Sequence, residues 1–189
     1  MLFTLTPMAM PEGYGEALLS LDAAKLHLRV DDDAEDDLIE VLRDAALQLV
    51  EKVCGIRLGV VEGIVATFPG FGRGMQLGVG PVPTVEVTAV SYSAVDGETV
   101  DLPDGGWRVA VDGALVAAPG TIWPEGGPVT VTFTAGYAAD ACPAPLIAAA
   151  KLALGYLYAM RDVAMEGEAS GGMPAAFGLL CNAYRMPTV

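Results

Sequence analysis

Histidine is nearly absent from this 189-residue sequence: His27 is the only one. A Ser-His-Asp or Cys-His mechanism would have to use it, and a histidine-based zinc site would lack a second imidazole. It sits between Leu26 and Leu28 on a short helical stretch, where a partly exposed structural histidine is expected. Basic residues are also scarce, with ten Lys and Arg against 24 Asp and Glu, for a formal charge of −14. They are scattered, so there is no basic groove to neutralise phosphates and hold nucleic acid directly. The three cysteines, Cys54, Cys142 and Cys181, are odd in number and match no ligand spacing; they read as buried, reduced thiols. No long apolar run exists either. The greasiest stretch, Leu146–Met160, is interrupted by Lys151 and is too short to span a bilayer. Met1–Met10 lacks the basic start and apolar core of a signal peptide. A soluble protein made in a reducing cytoplasm is expected.

What is present is an apolar fraction of 53%, filled by Ala, Val, Leu and Gly more than by aromatics. The length suits one domain, or one domain with a sizeable insertion. Residues 1–19 show no periodicity and read as a flexible arm. In "SLDAAKLHLRV", Ser20 suits an N-cap and Asp22 the first turn of a helix from Leu21 to Arg29. In "AEDDLIEVLRDAALQLVEKVCG", Leu38, Ile39, Leu42, Ala45, Ala46, Leu49, Val50 and Val53 recur at three- and four-residue steps, and Gly55 supplies the stop. On its outer face Glu40 can pair with Arg43, or Asp44 can face solvent.

Between Arg57 and Gly136 the period drops to two, and Gly and Pro become the punctuation. Asp96-Gly97 and Asp112-Gly113 mark hairpin turns, and Pro81 and Pro83 mark the entry to a strand over Thr84–Ala94. Five to seven short antiparallel strands are expected. Helical periodicity returns after Cys142, with Pro143 and Pro145 in a first turn and small residues (Ala148, Ala149, Ala150, Ala153, Gly155) that permit close packing. The fold class is therefore α+β. A helical core at 20–56 and 143–166, made of two N-terminal helices and one long C-terminal helix, carries an antiparallel β-rich insertion at 57–142. A tail follows at 167–189.

The densest feature is the run Asp31–Asp37, six acids in seven positions. A calcium loop of the EF-hand kind needs Gly at its sixth position and Glu at its twelfth. Starting at Asp31 puts Asp36 and Leu42 there, and starting at Asp33 puts Leu38 and Asp44 there. Both registers fail, so the acids are assigned to a loop and helix N-terminus, and no metal is expected. "PGFGRGM" lacks the Lys-Ser/Thr and the following helix of a phosphate cradle and reads as a hairpin loop. No catalytic residue and no cofactor is assigned. The uncharged tail, with Phe177, Leu179, Leu180, Tyr184 and Met186, either folds back on its own domain or docks into a partner.

The order of these features resembles tailed-phage head–tail connector (adaptor) proteins, including the adaptors of gene transfer agents. The resemblance is carried by "LSLDAAKLHLRVDDDAEDDLIEVLRDAALQLVEKVCG", by "PVPTVEVTAVSYSAVDGET", and by "TFTAGYAADACPAPLIAAAKLALGYLYAMR" with its Tyr158–Arg161 motif. It implies a non-enzymatic virion component that forms a ring of about twelve copies around the DNA channel. Such a ring binds the portal protein on one side and a stopper or other tail-completion protein on the other, and passes DNA without sequence-specific binding or any membrane. Carried over by position, portal binding falls to Phe177, Leu179, Leu180, Tyr184, Arg185 and Met186. Asp31, Asp32, Asp33 and Glu35 would form an acidic ring surface that lets DNA pass without gripping it. The alternatives are a phage-unrelated β-rich protein-binding module, and an esterase-like enzyme using His27 with Ser or Cys.

Overall fold

The computed structural model describes residues 3–77, 85–138, 140–166 and 172–185. The fold is α+β, and the chain divides into two compact units. One is helical, built from Pro11–Gly59 and Tyr137–Arg185; the other is β-rich, built around the first ten residues and Val60–Gly136. The β-rich stretch is thus an excursion between two halves of a helical unit.

The helical unit holds α1 (Tyr14–Leu18), α2 (Leu21–Leu28), α3 (Asp36–Cys54), α4 (Ala144–Glu166) and α5 (Ala175–Asn182). Ser20 caps α2 as its residue type dictates: its Oγ accepts from the Ala23 N–H at 3.2 Å. Arg29 ends the helix in the left-handed conformation. Gly55, at φ 68°, ends α3, and its N–H returns to the Glu51 carbonyl at 2.8 Å. The core lies where α3 meets α4. Ile39, Ala46, Leu47 and Val50 from α3 are buried with Leu146, Ala149, Ala150, Ala153 and Leu154 from α4. The alanines let the two backbones come close, and each buried leucine or isoleucine contributes about 1.5–3 kcal/mol of transfer free energy.

The inward face of α3 differs from the expected stripe. Leu38 and Ala45 face outward, whereas Arg43 and Glu51 turn inward with Ile39, Leu47 and Cys54. Arg43 is 5% exposed and bonds Glu16 and Asp44, so the expected outer pair with Glu40 is corrected. A buried guanidinium needs carboxylates on its own side of the helix, and Glu16 of α1 supplies one.

The β-rich unit holds β1 (Thr4–Leu5), β2 (Val61–Phe68), β3 (Met75–Gln76), β4 (Glu86–Ser93), β5 (Thr99–Asp101), β6 (Trp107–Val109), β7 (Ala114–Ala117) and β8 (Val129–Ala135). Five strands make one antiparallel sheet in the order β1-β2-β8-β4-β5, and three make another in the order β3-β7-β6. Alternation sets the register of β2 against β8, with Phe68 opposite Val129, Ala66 opposite Val131 and Ile64 opposite Phe133. All six are buried, so one face of this pair is core. Gly63, at φ 68°, sits in the bulge between Val61 and Ile64. Both expected hairpin turns form: the Asp96 carboxylate accepts from the Glu98 N–H and that of Asp112 from the Ala114 N–H, each at 3.1 Å. Seven strands lie in the described part of 57–142, matching the expected five to seven. Pro81, Pro83 and Thr84 lie outside the described residues.

The N-terminal arm is a correction. Residues 3–19 contribute β1 and α1 rather than a loose lead. Thr4 pairs with Thr67 and Leu5 with Ala66, the Thr6 N–H donates to the Val65 carbonyl at 2.9 Å, and the Phe3 and Phe68 rings lie 5.4 Å apart. A two-residue strand and a five-residue helix are too short to show a period in sequence.

Candidate functional site

Three local arrangements in the helical unit bear on function. The first is the acidic corner between α2 and α3. Lys25 reaches across it to Asp33 at 2.6 Å and Asp36 at 2.7 Å. These bonds hold the Asp33 carboxyl below its ordinary pKa and raise that of Lys25. The Asp32 carboxylate accepts from the Ala34 N–H at 3.0 Å in a local turn. Glu35 stands at the N-cap position of α3 without a capping side-chain bond, and its carboxylate instead accepts the Tyr158 hydroxyl of α4. Asp36 and Asp37 fill the first turn, where the helix dipole favours them. Asp31, Asp32 and Asp33 all face solvent. The corner therefore holds the α2–α3 bend and presents an acidic surface beside it. Among the described residues no three His, Cys, Asp or Glu side chains gather as a metal site would require. His27 is exposed on α2 and lies near Gly155, 3.6 Å from where a Cβ there would stand.

The second arrangement centres on Glu51, which is 2% exposed. Its carboxylate accepts from the Tyr14 hydroxyl, from Arg57 Nη1 at 3.0 Å and from the Leu58 N–H at 2.9 Å. The Gly59 N–H donates to the Tyr14 oxygen at 2.8 Å. Burial, then the Glu51 charge, raises the Tyr14 pKa. This cluster fixes the path of the chain as it leaves α3. Sequence reasoning missed it, although a signal existed: Arg43 and Glu51 fall on the helical face shared by Ile39, Ala46, Leu47 and Val50.

The third arrangement is α5, which packs on α3 and α4. Its Phe177 is 6% exposed and Cys181 is buried; the Cys54 thiol donates to the Cys181 carbonyl at 3.7 Å. Arg185 Nε donates to the Val53 carbonyl at 3.2 Å. Leu179 is 74% exposed, Leu180 and Tyr184 are half-buried, and Arg185 is exposed. Phe177 is thus packed into the helical core of the isolated chain, and a partner could reach it only by lifting α5 away. Met186 lies outside the described residues, as does the side chain of Arg161. Burial pushes the Cys54 thiol up to about 12 and the Cys142 thiol up to about 11, and raises that of Cys181. All three are therefore protonated and weakly nucleophilic near neutral pH. No described helix is long and apolar enough to cross a membrane.

Comparison with known proteins falls on the same ground. Residues 19–77, which hold α2, the acidic run, α3 and Glu51 with its partners Arg57 and Leu58 but not Tyr14, match the model of phage gp6-like head-tail connector proteins. No curated protein matches the sequence. Among solved structures, a chain in the virion of a native gene transfer agent particle is 25% identical at a TM-score of 0.73, covering 100% of this chain and 97% of that one. A chain in the neck of the empty particle, computed with C6 symmetry, is also 25% identical, with a TM-score of 0.72 and the same coverage. One in the neck of the native particle, computed with C12 symmetry, is 24% identical at a TM-score of 0.69 and shares the fold. These likenesses take in helices and strands alike, so an unrelated β-rich binding module is not favoured.

Proposed function

We infer that this chain is a head–tail connector of the phage and gene transfer agent type, a structural component of the virion neck. The observation that carries the inference is a full-length likeness to a gene transfer agent virion chain, 100% of one and 97% of the other, combined with a connector-family match over residues 19–77. The role is non-catalytic: the protein works as one segment of an oligomeric ring at the head–tail interface. About twelve copies suit the C12 symmetry of the similar neck.

The ring binds a portal protein on one face and a stopper or other tail-completion protein on the other. Support for the portal side comes from α5, whose Leu179 stands in solvent while Phe177 anchors the helix. Leu180, Tyr184, Arg185 and Met186 complete that contact. Asp31, Asp32, Asp33 and Glu35 contribute negative charge to the ring, and an acidic wall lets DNA pass without adhering.

Incubation of the purified chain with its cognate portal, followed by electron microscopy, tests the reading. An extra ring stacked on the portal is expected. Portals that stay bare at saturating chain concentration would refute portal binding.

A further inference from the structure

β5 ends the five-stranded sheet, and among the described residues it pairs only with β4. Which of its backbone groups are left over follows from the ladder. The Ala94 N–H donates to the Glu98 carbonyl and the Leu102 N–H to the Val90 carbonyl, both at 2.8 Å. Alternate residues of an antiparallel strand turn their N–H and C=O toward the partner. Those of Thr99 and Asp101 therefore turn to the open edge, and all three residues of β5 are exposed.

Beside this strand lies a groove of about 310 Å³ lined by Tyr92, Val100, Leu102, Pro103, Ile122 and Pro124, among others. Ile122 is 93% exposed, yet the loop that carries it is held from both sides. Thr121 donates to the Ala118 carbonyl from its Oγ1 at 2.7 Å and from its N–H at 3.0 Å. Trp123 Nε1 donates to the Gly72 carbonyl at 2.9 Å. The Trp123 ring stacks on Phe71 at 4.8 Å, and Phe71 meets Tyr92 edge-on at 5.4 Å. The isoleucine is thus presented on a braced loop, the arrangement of a contact anchor.

Charge identifies the occupant. From Glu86 to Gly106 the chain carries Glu86, Asp96, Glu98, Asp101 and Asp104 and no Lys or Arg. A second copy would bring the same acids against these, whereas a basic segment would be drawn to them. We propose that the β5 edge and its groove receive an extended segment of a partner protein, added as a further strand. Its aliphatic side chains enter the groove against Val100 and Ile122, and its alternating basic ones face the acids. The proposal is independent of the connector reading, and either can fail alone.

The test titrates the full chain into a fluorescein-labelled octapeptide of alternating Lys and Val, read by anisotropy at low salt. Saturable binding is expected, weakened about tenfold by Asp101→Pro, which removes an outward N–H, and about tenfold by Ile122→Ser. The same peptide N-methylated on its strand-pairing amides leaves the protein intact and should also bind about tenfold more weakly. A Glu-Val octapeptide should bind more weakly still. Absence of saturable binding, equal binding of both charge types, or binding indifferent to N-methylation overturns the proposal. So does an equal loss in an Asp31→Asn/Asp32→Asn chain, which would mark general charge attraction. Self-association abolished by Asp101→Pro would make the occupant a second copy and overturn it too.

Discussion

The Tyr14 hydroxyl donates a hydrogen bond to the buried Glu51 carboxylate, joining the one-turn α1 to the last turn of α3. The same phenol oxygen accepts from the Gly59 N–H, so one side chain closes both ends of a turn. Tyr14→Phe leaves the Gly59 N–H and one carboxylate lone pair unsatisfied. A loss of about 1–2 kcal/mol is expected in urea unfolding. The pH dependence carries a sign of its own. Because the folded Tyr14 pKa is raised above its ordinary 10.0, its contribution is complete below pH 10.0 and fades as pH rises further. Stability of the natural chain should fall above that pH, and the Tyr14→Phe chain should fall less steeply.

Lys25 offers the reverse dependence at the acidic end. Its bonds keep the Asp33 carboxyl below the ordinary 3.8, so that contribution is present above pH 3.8 and lost as pH falls through the folded value. Lys25→Ala should lower the thermal midpoint at pH 7 and change it much less at pH 2. Calorimetry at the two pH values checks this, and added salt should shrink the effect at pH 7.

The cysteines give a third expectation. With Cys54 pushed up to about 12 and Cys142 to about 11, thiolate is scarce at pH 8 and reaction with a disulfide reagent should be slow. All three thiols should titrate promptly in denaturant. Rapid modification of Cys54 in the folded chain would mean that α5 opens readily.

α5 sets a buried phenylalanine and an exposed leucine within eight residues. Phe177→Ala removes a core ring and should cost about 3–5 kcal/mol in the isolated chain. Leu179→Ala, on an exposed site, should leave stability within about 0.5 kcal/mol while weakening association with the portal. If the two substitutions affect stability alike, α5 is packed on both faces and Leu179 is no contact residue.

Much of the architecture was legible because its signals are local. Ser20, Gly55 and the two Asp-Gly turns are residue types with a single backbone purpose, and each sits where its chemistry requires. The antiparallel strands followed from alternation, as in β8. Elements shorter than one period, β1 and α1, left no trace. Arg43 was misplaced because a charge on a helix is ordinarily solvated; its burial is made tolerable by the adjacent Asp44 and by Glu16, 27 residues away in the chain. Composition left open whether the segment of Phe177 folds back or docks, because it shows that a segment is apolar and not what covers it; the fold shows Phe177 buried. The acidic run fits no calcium-loop register, a reading available from residue spacing alone, whereas its bonds to Lys25 and Tyr158 needed the fold to bring α2, α3 and α4 together.

Whole particles report most directly on a role in the neck. Cells that make the particle but lack this chain should accumulate DNA-filled heads without tails by electron microscopy, with tails restored by the chain supplied in trans. Normal tailed particles in its absence would contradict the account.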